Sequence, residues 1–231
     1  MCEFVENYIE RIQRCKIPYS IKICNVDFII QSHDVFPSGK LTELFVKFLV
    51  EEGIVKERVI ADIGAGSFAL GIVAVLNGAK KAIGVDINKK SVECAKQNIN
   101  IHSVSDKAEI LHGGINKLYP LFQNKIDVLV SGLPWDTISL KEFNNINPER
   151  KLLARAFYDV DDELINSILL KGFNLLNKKG QIFITSSLQV LNRMNNIFRQ
   201  YNVIYNIVKE EDIHQDGNIH YILKLKKEQA E

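Results

Sequence analysis

The chain has 231 residues, 46% of them hydrophobic and 25% charged, with 29 Lys plus Arg against 28 Asp plus Glu. That composition excludes disorder as the dominant state and, at roughly 100–200 residues per domain, gives one domain with an appendage or two small ones. A formal net charge of +1 supplies no global field for a phosphate backbone, so nucleic-acid contact has to come from local patches.

A membrane span is not expected. The most apolar stretch, Phe68 to Leu76, is about half the roughly 20 residues a span needs, and Met1 to Glu10 carries three acids with no apolar run behind it. Cys2, Cys15, Cys24 and Cys94 form no CxxC pair and lie far from any closely spaced His pair. The expectation is a cytoplasmic protein with reduced, buried or inert thiols and no metal.

In chain order, Glu3 to Arg14 has the pattern of an amphipathic helix, Ile21–Cys24 and Val26–Ile30 that of a short hairpin around Asn25, and Ser38 to Glu51 that of a helix closed by Gly53. From Arg58 onward strands and helices alternate. Strand-like runs are Val59–Ile63, Ala82–Ile87, Ala108–Leu111, Ile126–Val130 and Gln181–Thr185. Between them, Phe68 to Leu76 is apolar on nearly every side, while Lys89–Ile101 and Glu163–Leu176 each carry one apolar face. At the end, Val203–Val208 and Ile219–Leu225 flank a polar turn and should pair as an antiparallel edge hairpin. The pattern predicts an α/β fold: a doubly wound seven-stranded sheet, mostly parallel, in a domain spanning residues 41–231, preceded by a helix-and-hairpin appendage over residues 1–40.

The first strand of the alternation runs into Asp62-Ile63-Gly64-Ala65-Gly66-Ser67-Phe68-Ala69, and Asp86 ends the next strand 20 residues after Gly66. This is the spacing of a mononucleotide-binding βαβ unit, in which glycines bring backbone close to a ligand and the distant carboxylate meets ribose hydroxyls. Asp62 narrows the ligand. At the loop mouth it would stand against a dinucleotide's pyrophosphate and, at about 4–6 Å, repel it by roughly 3–4 kcal/mol. S-adenosylmethionine carries no phosphate and offers an ammonium and a sulfonium, which the same carboxylate attracts. No Lys or Arg lies between Arg58 and Lys80 to neutralise a phosphate there.

On these residues the chain resembles the class I S-adenosylmethionine-dependent methyltransferases over about residues 35 to 226. The resemblance implies roles for Asp62, Gly64, Ala65 and Gly66 around the methionine moiety, for Asp86 on the ribose and for Ile87 beside the adenine. The family often has Gly-Asp after the third strand of the alternation. This chain reads His112-Gly113-Gly114-Ile115-Asn116, leaving the adenine to backbone around Gly114 and Ile115, or to Asn116.

The fourth strand ends in Ser131-Gly132-Leu133-Pro134-Trp135-Asp136, at the carboxyl edge where such sheets bind ligands. The segment is similar to the Asn-Pro-Pro-Tyr or Asn-Leu-Pro-Tyr motif of methyltransferases acting on planar nitrogens, namely the HemK-type glutamine methyltransferases and the RNA or DNA adenine methyltransferases. Trp135 would then stack on a flat acceptor, and Asp136 would take its proton. Gly132 stands where those families carry Asn or Asp, so the carbonyls of Gly132 and Leu133 and the Ser131 hydroxyl would aim the acceptor, or the substrate is of another kind. Upstream, His33-Asp34-Val35-Phe36-Pro37 and Thr42 look like the segment covering the donor in HemK-type and rRNA guanine methyltransferases, which singles out Phe36 and Thr42. The polar stretch Thr137 to Asp161 reads as a lid, with Arg150 and Arg155 open to an anionic substrate or to solvent.

The resulting expectation is methyl transfer from S-adenosylmethionine to a planar nitrogen of an RNA base or a protein glutamine. The alternatives are a small-molecule methyltransferase, a donor-binding scaffold without activity, and, least favoured by Asp62, an NAD-dependent oxidoreductase.

Overall fold

The computed structural model describes residues 2–215 and 217–228. From the amino end, α1 (Glu3–Arg14) leads into the hairpin β1 (Tyr19–Ile23) and β2 (Val26–Ile30), then α2 (Lys40–Glu51). The alternation follows as β3 (Val59–Ile63), α3 (Ala69–Leu76), β4 (Lys81–Asp86), α4 (Lys89–Ile101), β5 (Ala108–His112) and β6 (Ile126–Gly132). An inserted unit holds β7 (Asp136–Ile138), α5 (Leu140–Asn144), α6 (Lys151–Ala154) and β8 (Tyr158–Val160). The chain closes with α7 (Glu163–Ser167), α8 (Phe173–Leu175), β9 (Leu176–Ser187), α9 (Leu188–Gln200), β10 (Val203–Glu211) and β11 (His220–Lys227).

Seven strands form the main sheet in the order β10-β11-β9-β6-β3-β4-β5, parallel from β9 to β5 and antiparallel on both sides of β11. The chain leaves β3 toward β4 and β5, then returns to place β6 on the other flank, so the crevice of this sheet opens at the carboxyl ends of β3 and β6. Both faces are covered, as a parallel sheet requires. One face packs Ile60, Val128, Val130 and Phe183 against α2, α3 and α4. The other packs Ala61, Leu129, Ile182 and Ile184 against α7 and α9. Complete burial of Ala69 through Val75 explains why α3 is apolar all round. Two helical features lay outside the sequence reading: residues 168–172 widen the 163–175 helix by a π-turn, and α9 stands between β9 and β10.

Residues 2–40 fold onto this frame. Ile23 and Phe28 enter the α2/α3 core, and the hairpin turns through Cys24 and Asn25, both at positive φ (50° and 63°). Asn98 of α4, with no exposed surface, behaves like a neighbouring strand. Its Oδ1 accepts from the Ile29 N–H (2.9 Å), while its Nδ2 donates to the carbonyls of Ile29 (3.2 Å) and Ser67 (3.4 Å). Because Ile29 belongs to β2 and Ser67 to the loop before α3, one amide ties the hairpin to the glycine loop. Asn98→Ala should therefore cost about 2–4 kcal/mol by leaving buried backbone groups unpaired, read as a lower urea midpoint at unchanged slope.

The segment Thr137 to Asp161, expected as a polar lid, forms a small folded unit of its own. β7 and β8 pair in parallel, Ser139 and Glu142 form a capping box on α5, and Ile138, Phe143, Leu153, Phe157 and Val160 build a core with Val5, Ile9 and Ile12 of α1. Cys2 and Cys15 are exposed rather than buried, because each flanks the ends of α1. Cys94 is buried and donates to the Ile29 carbonyl (3.1 Å).

Candidate active site

The end of β3 delivers Asp62 and the turn after it. Gly64 and Gly66 take φ of +78° and +56°, the left-handed region that a side chain disfavours, and space beyond both is open. The N–H groups of Gly64 and Ala65 both donate to the Val85 carbonyl (2.9 and 3.1 Å), folding the turn over the end of β4. Asp86 then braces it: Oδ2 accepts from the Gly66 N–H and Oδ1 from the Asn88 N–H, each at 2.8 Å. Burial pushes the Asp86 carboxyl up, while those two donors and the nearby His112 pull it down.

Asp62 is different in kind. It is 4% exposed and its carboxylate has no hydrogen-bond or ion-pair partner among the described residues. Burial, reinforced by the charge of Asp86, pushes it up to about 7. A buried carboxylate lacking a partner is costly unless a cation arrives to meet it. Just past the end of β4, Ile87 is 51% exposed, an apolar face at the carboxyl edge of the sheet, and Gly114 is exposed with open space over its Cα. Ile115 turns its side chain into the core, which leaves only its backbone to the crevice. This combination fits a ligand with a cationic end and an apolar ring system, as S-adenosylmethionine has.

The segment before α2 comes down over the same edge. Asn88 Nδ2 donates to the Asp34 carbonyl (2.7 Å), and Ser38 and Ser67 share a hydroxyl contact (3.0 Å), so residues 34–38 are fastened to the glycine loop. Thr42 lies half-buried in the first turn of α2. Phe36 points into an aromatic cluster with Phe157 (5.1 Å between centroids), Tyr8 (5.9 Å) and Trp135 (6.2 Å).

Thus Trp135, expected at the acceptor, and Phe36, expected over the donor, meet in one cluster. Trp135 is half-buried and packs edge-on against Phe157 at 5.3 Å. Leu133 and Pro134 are buried. Ser131 faces away from the crevice, because strand alternation puts it on the opposite side of β6 from Gly132, and its hydroxyl donates to the Ile63 carbonyl (2.7 Å). Asp136 is ion-paired with Arg193 of α9 (2.9 Å), which also reaches Asp162 (3.4 Å). Arg150 and Arg155 pair with Glu10 and Glu163, both at 3.5 Å.

A residue absent from the sequence reading completes the edge. Thr185 of β9 pairs in register with Gly132 and lies on the face that carries Asp62. It is 1% exposed, and its hydroxyl is one of the few buried polar atoms with no hydrogen-bond partner among the described residues. A Cβ built on Gly132 would sit 4.0 Å from that oxygen, with nothing nearer. The missing side chain at 132 and the orphan hydroxyl at 185 therefore face one another. The only sequence signal was a Thr at the end of an apolar strand. Thr185→Val should stabilise the protein by about 1–2 kcal/mol, since a near-isosteric swap removes a buried unsatisfied oxygen; an unchanged or lower melting temperature would mean that the hydroxyl is satisfied.

The model of the ribosomal protein L11 methyltransferase (PrmA) family matches residues 40–138, under half of the chain. The L11 methyltransferase of Alkaliphilus oremlandii is 36% identical over 103 residues, which is 42% of this chain and 32% of the relative. That of Dictyoglomus turgidum is 36% identical over 129 residues, 52% and 40% respectively. The chain thus spans less than half the length of the relatives it matches. Among solved structures, the L11 methylase of Lactobacillus delbrueckii subsp. bulgaricus superposes with a TM-score of 0.57 at 17% identity, over 84% of this chain and 82% of that one. The tRNA m1G37 methyltransferase of M. jannaschii gives 0.64 at 15% identity, over 93% and 58%. At such identities these structures speak to the fold alone.

Proposed function

We propose that this chain, which has the class I S-adenosylmethionine-dependent methyltransferase fold, binds S-adenosylmethionine at the β3/β4 loop and transfers its methyl group to a nitrogen of a protein or an RNA. The observation that carries the reading is Asp62: a buried carboxylate without a partner at the mouth of a left-handed glycine turn. The match over residues 40–138 to L11 methyltransferases supports it, because that stretch contains the whole donor loop and ends just past Asp136.

In this reading Asp62 holds the ammonium of the donor, the Gly64–Gly66 backbone lies along its methionine part, Asp86 offers its remaining lone pairs to the ribose, and Ile87 covers one face of the adenine. When bound, the donor supplies an activated methyl group on a sulfonium. The chain's own part is alignment, which accounts for much of the barrier reduction in an in-line displacement. The Gly132 and Leu133 carbonyls and the Thr185 hydroxyl border the place for the acceptor. Asp136, neutralised by Arg193, is better suited to hold α9 and the inserted unit together than to take a proton.

A thermal-shift series with S-adenosylmethionine, S-adenosylhomocysteine and NAD tests the donor. At about 100 times Kd, stabilisation of roughly 2.7 kcal/mol is expected from the first two and none from NAD. Tritiated methyl transfer is then measured onto purified L11 and onto total ribosomal and transfer RNA. Label on either supports the reading, and donor binding without label on any of them favours a donor-binding scaffold.

A further inference from the structure

The near-zero net charge conceals a segregation. Every parallel strand of the sheet is entered from the edge opposite the glycine loop, and at that amino edge each of six neighbouring strands presents a cation. Across the sheet these are Lys226 at the end of β11, Lys179 in β9, Lys125 before β6, Arg58 before β3, Lys80 before β4 and Lys107 before β5. Backbone bonds knit them into one line: the Lys80 N–H donates to the Arg58 carbonyl (2.9 Å), and the Ala82 N–H to the Lys107 carbonyl (2.8 Å). At about 4.8 Å per strand the line is roughly 24 Å long.

Acids offset it only in part. Glu109 is paired by Lys81 (3.0 Å) and Asp127, still charged, accepts from the Val59 N–H (2.7 Å) and from Asn177, while Glu57, Asp106 and Glu228 are exposed on the edge; exposed Lys178 and Lys227, next to Lys179 and Lys226, keep cations in excess. The concentration of charge is felt locally: Lys224, one step in from the edge, is pulled down by burial and by the nearby Lys226 and Arg58. A half-buried aromatic ring sits among the cations, Phe122, with the Lys81 ammonium 5.5 Å from its centroid.

We infer that the amino edge of the sheet is a docking surface for the sugar-phosphate backbone of single-stranded RNA. A single file of cations follows one backbone, and a ring beside it offers a stacking face. Among the described residues the six cations sit on strand ends and on the loops that lead into strands, not along one helix of the kind that enters a duplex groove or lies on a membrane surface. The edge is a strand length, about 16 Å, from the glycine loop. It therefore grips RNA away from the chemistry, as a tether for an acceptor that is RNA or is carried on RNA. The inference does not rest on methyl transfer, and each can fail alone.

The test is fluorescence anisotropy of the purified full chain with a fluorescein-labelled single-stranded RNA of about 20 nucleotides, at 50 and 200 mM KCl. With about five phosphates neutralised, affinity should fall on the order of 100-fold between the two salts. A variant carrying Lys80→Ser, Lys107→Ser, Lys179→Ser and Lys226→Ser should bind at least 30-fold more weakly at 50 mM with a flattened salt slope, at unchanged circular dichroism and melting temperature. A control with Lys22→Ser, Lys47→Ser, Lys96→Ser and Lys209→Ser has the same net charge and should bind as the wild type does. Equal losses in both variants, no binding by the wild type at 50 mM, or tighter binding to duplex DNA or phosphatidylserine vesicles through the same four lysines would each overturn the inference.

Discussion

Asp62→Asn should abolish donor binding and, in the same protein without donor, raise stability at pH 8. The two effects have one cause. The Asp62 carboxyl is held near 7 in the folded chain by burial and by Asp86, against 3.8 as the ordinary value. The unfolded chain therefore releases this proton first, so stability is greatest below about pH 4, declines as pH rises toward 7, and levels off above. At pH 8 the ionised group costs up to about 4 kcal/mol, and Asn should recover about 2–4 of it. At pH 4 variant and wild type should differ little. Donor affinity runs the opposite way: it depends on the ionised carboxylate, so for the wild type it should weaken about tenfold per pH unit below 7 and plateau above, until the donor's own ammonium begins to titrate near pH 8. Urea titrations at pH 4 and 8 with calorimetric binding across pH 5.5–8 read both. A variant no more stable at pH 8 would place the cost of ionisation somewhere other than Asp62.

Phe68→Ala should be the most damaging substitution near the loop, at about 3–5 kcal/mol, or roughly 6–20 °C in Tm for a chain this long. Phe68 has no exposed surface and stands at φ +62°, an unusual place for a bulky residue. Its ring fills the space above two glycines: a Cβ on Gly71 would lie 2.1 Å from it, and one on Gly84 2.8 Å. Packing of the ring holds the strained backbone, and the backbone in turn holds Gly64 to Ser67 over β4. The variant should therefore lose donor affinity along with stability, in contrast to Asp62→Asn. Scanning calorimetry with and without donor distinguishes the two patterns.

What sequence alone could show was local. The βαβ spacing from Asp62 to Asp86, the Asn25 turn and the edge hairpin each depend on neighbours a few residues away or on period two and period 3.6. Period two also dictates that residues 131 and 132 point to opposite faces, which removes the Ser131 hydroxyl from the crevice. The inserted unit was illegible for a different reason. Ile138, Phe143, Leu153 and Phe157 are scattered through short elements among polar residues, and the helix that completes their core lies near the start of the chain. Thr185 is of the same kind, since being unpartnered is a property of its neighbours in space.

That shared core also has a consequence for how the chain is made. The Cys2 N–H and the Tyr158 hydroxyl that bond in the folded protein are 156 positions apart. At about 5–20 residues per second, α1 waits roughly 8–30 s on the ribosome before the surface that buries Val5, Ile9 and Ile12 has been synthesised. During that interval its apolar face is open to chaperones or to other nascent chains. By the same logic a fragment beginning at residue 40 retains the glycine loop yet leaves Phe143, Phe157 and Trp135 without their cover, and is expected to aggregate through that face.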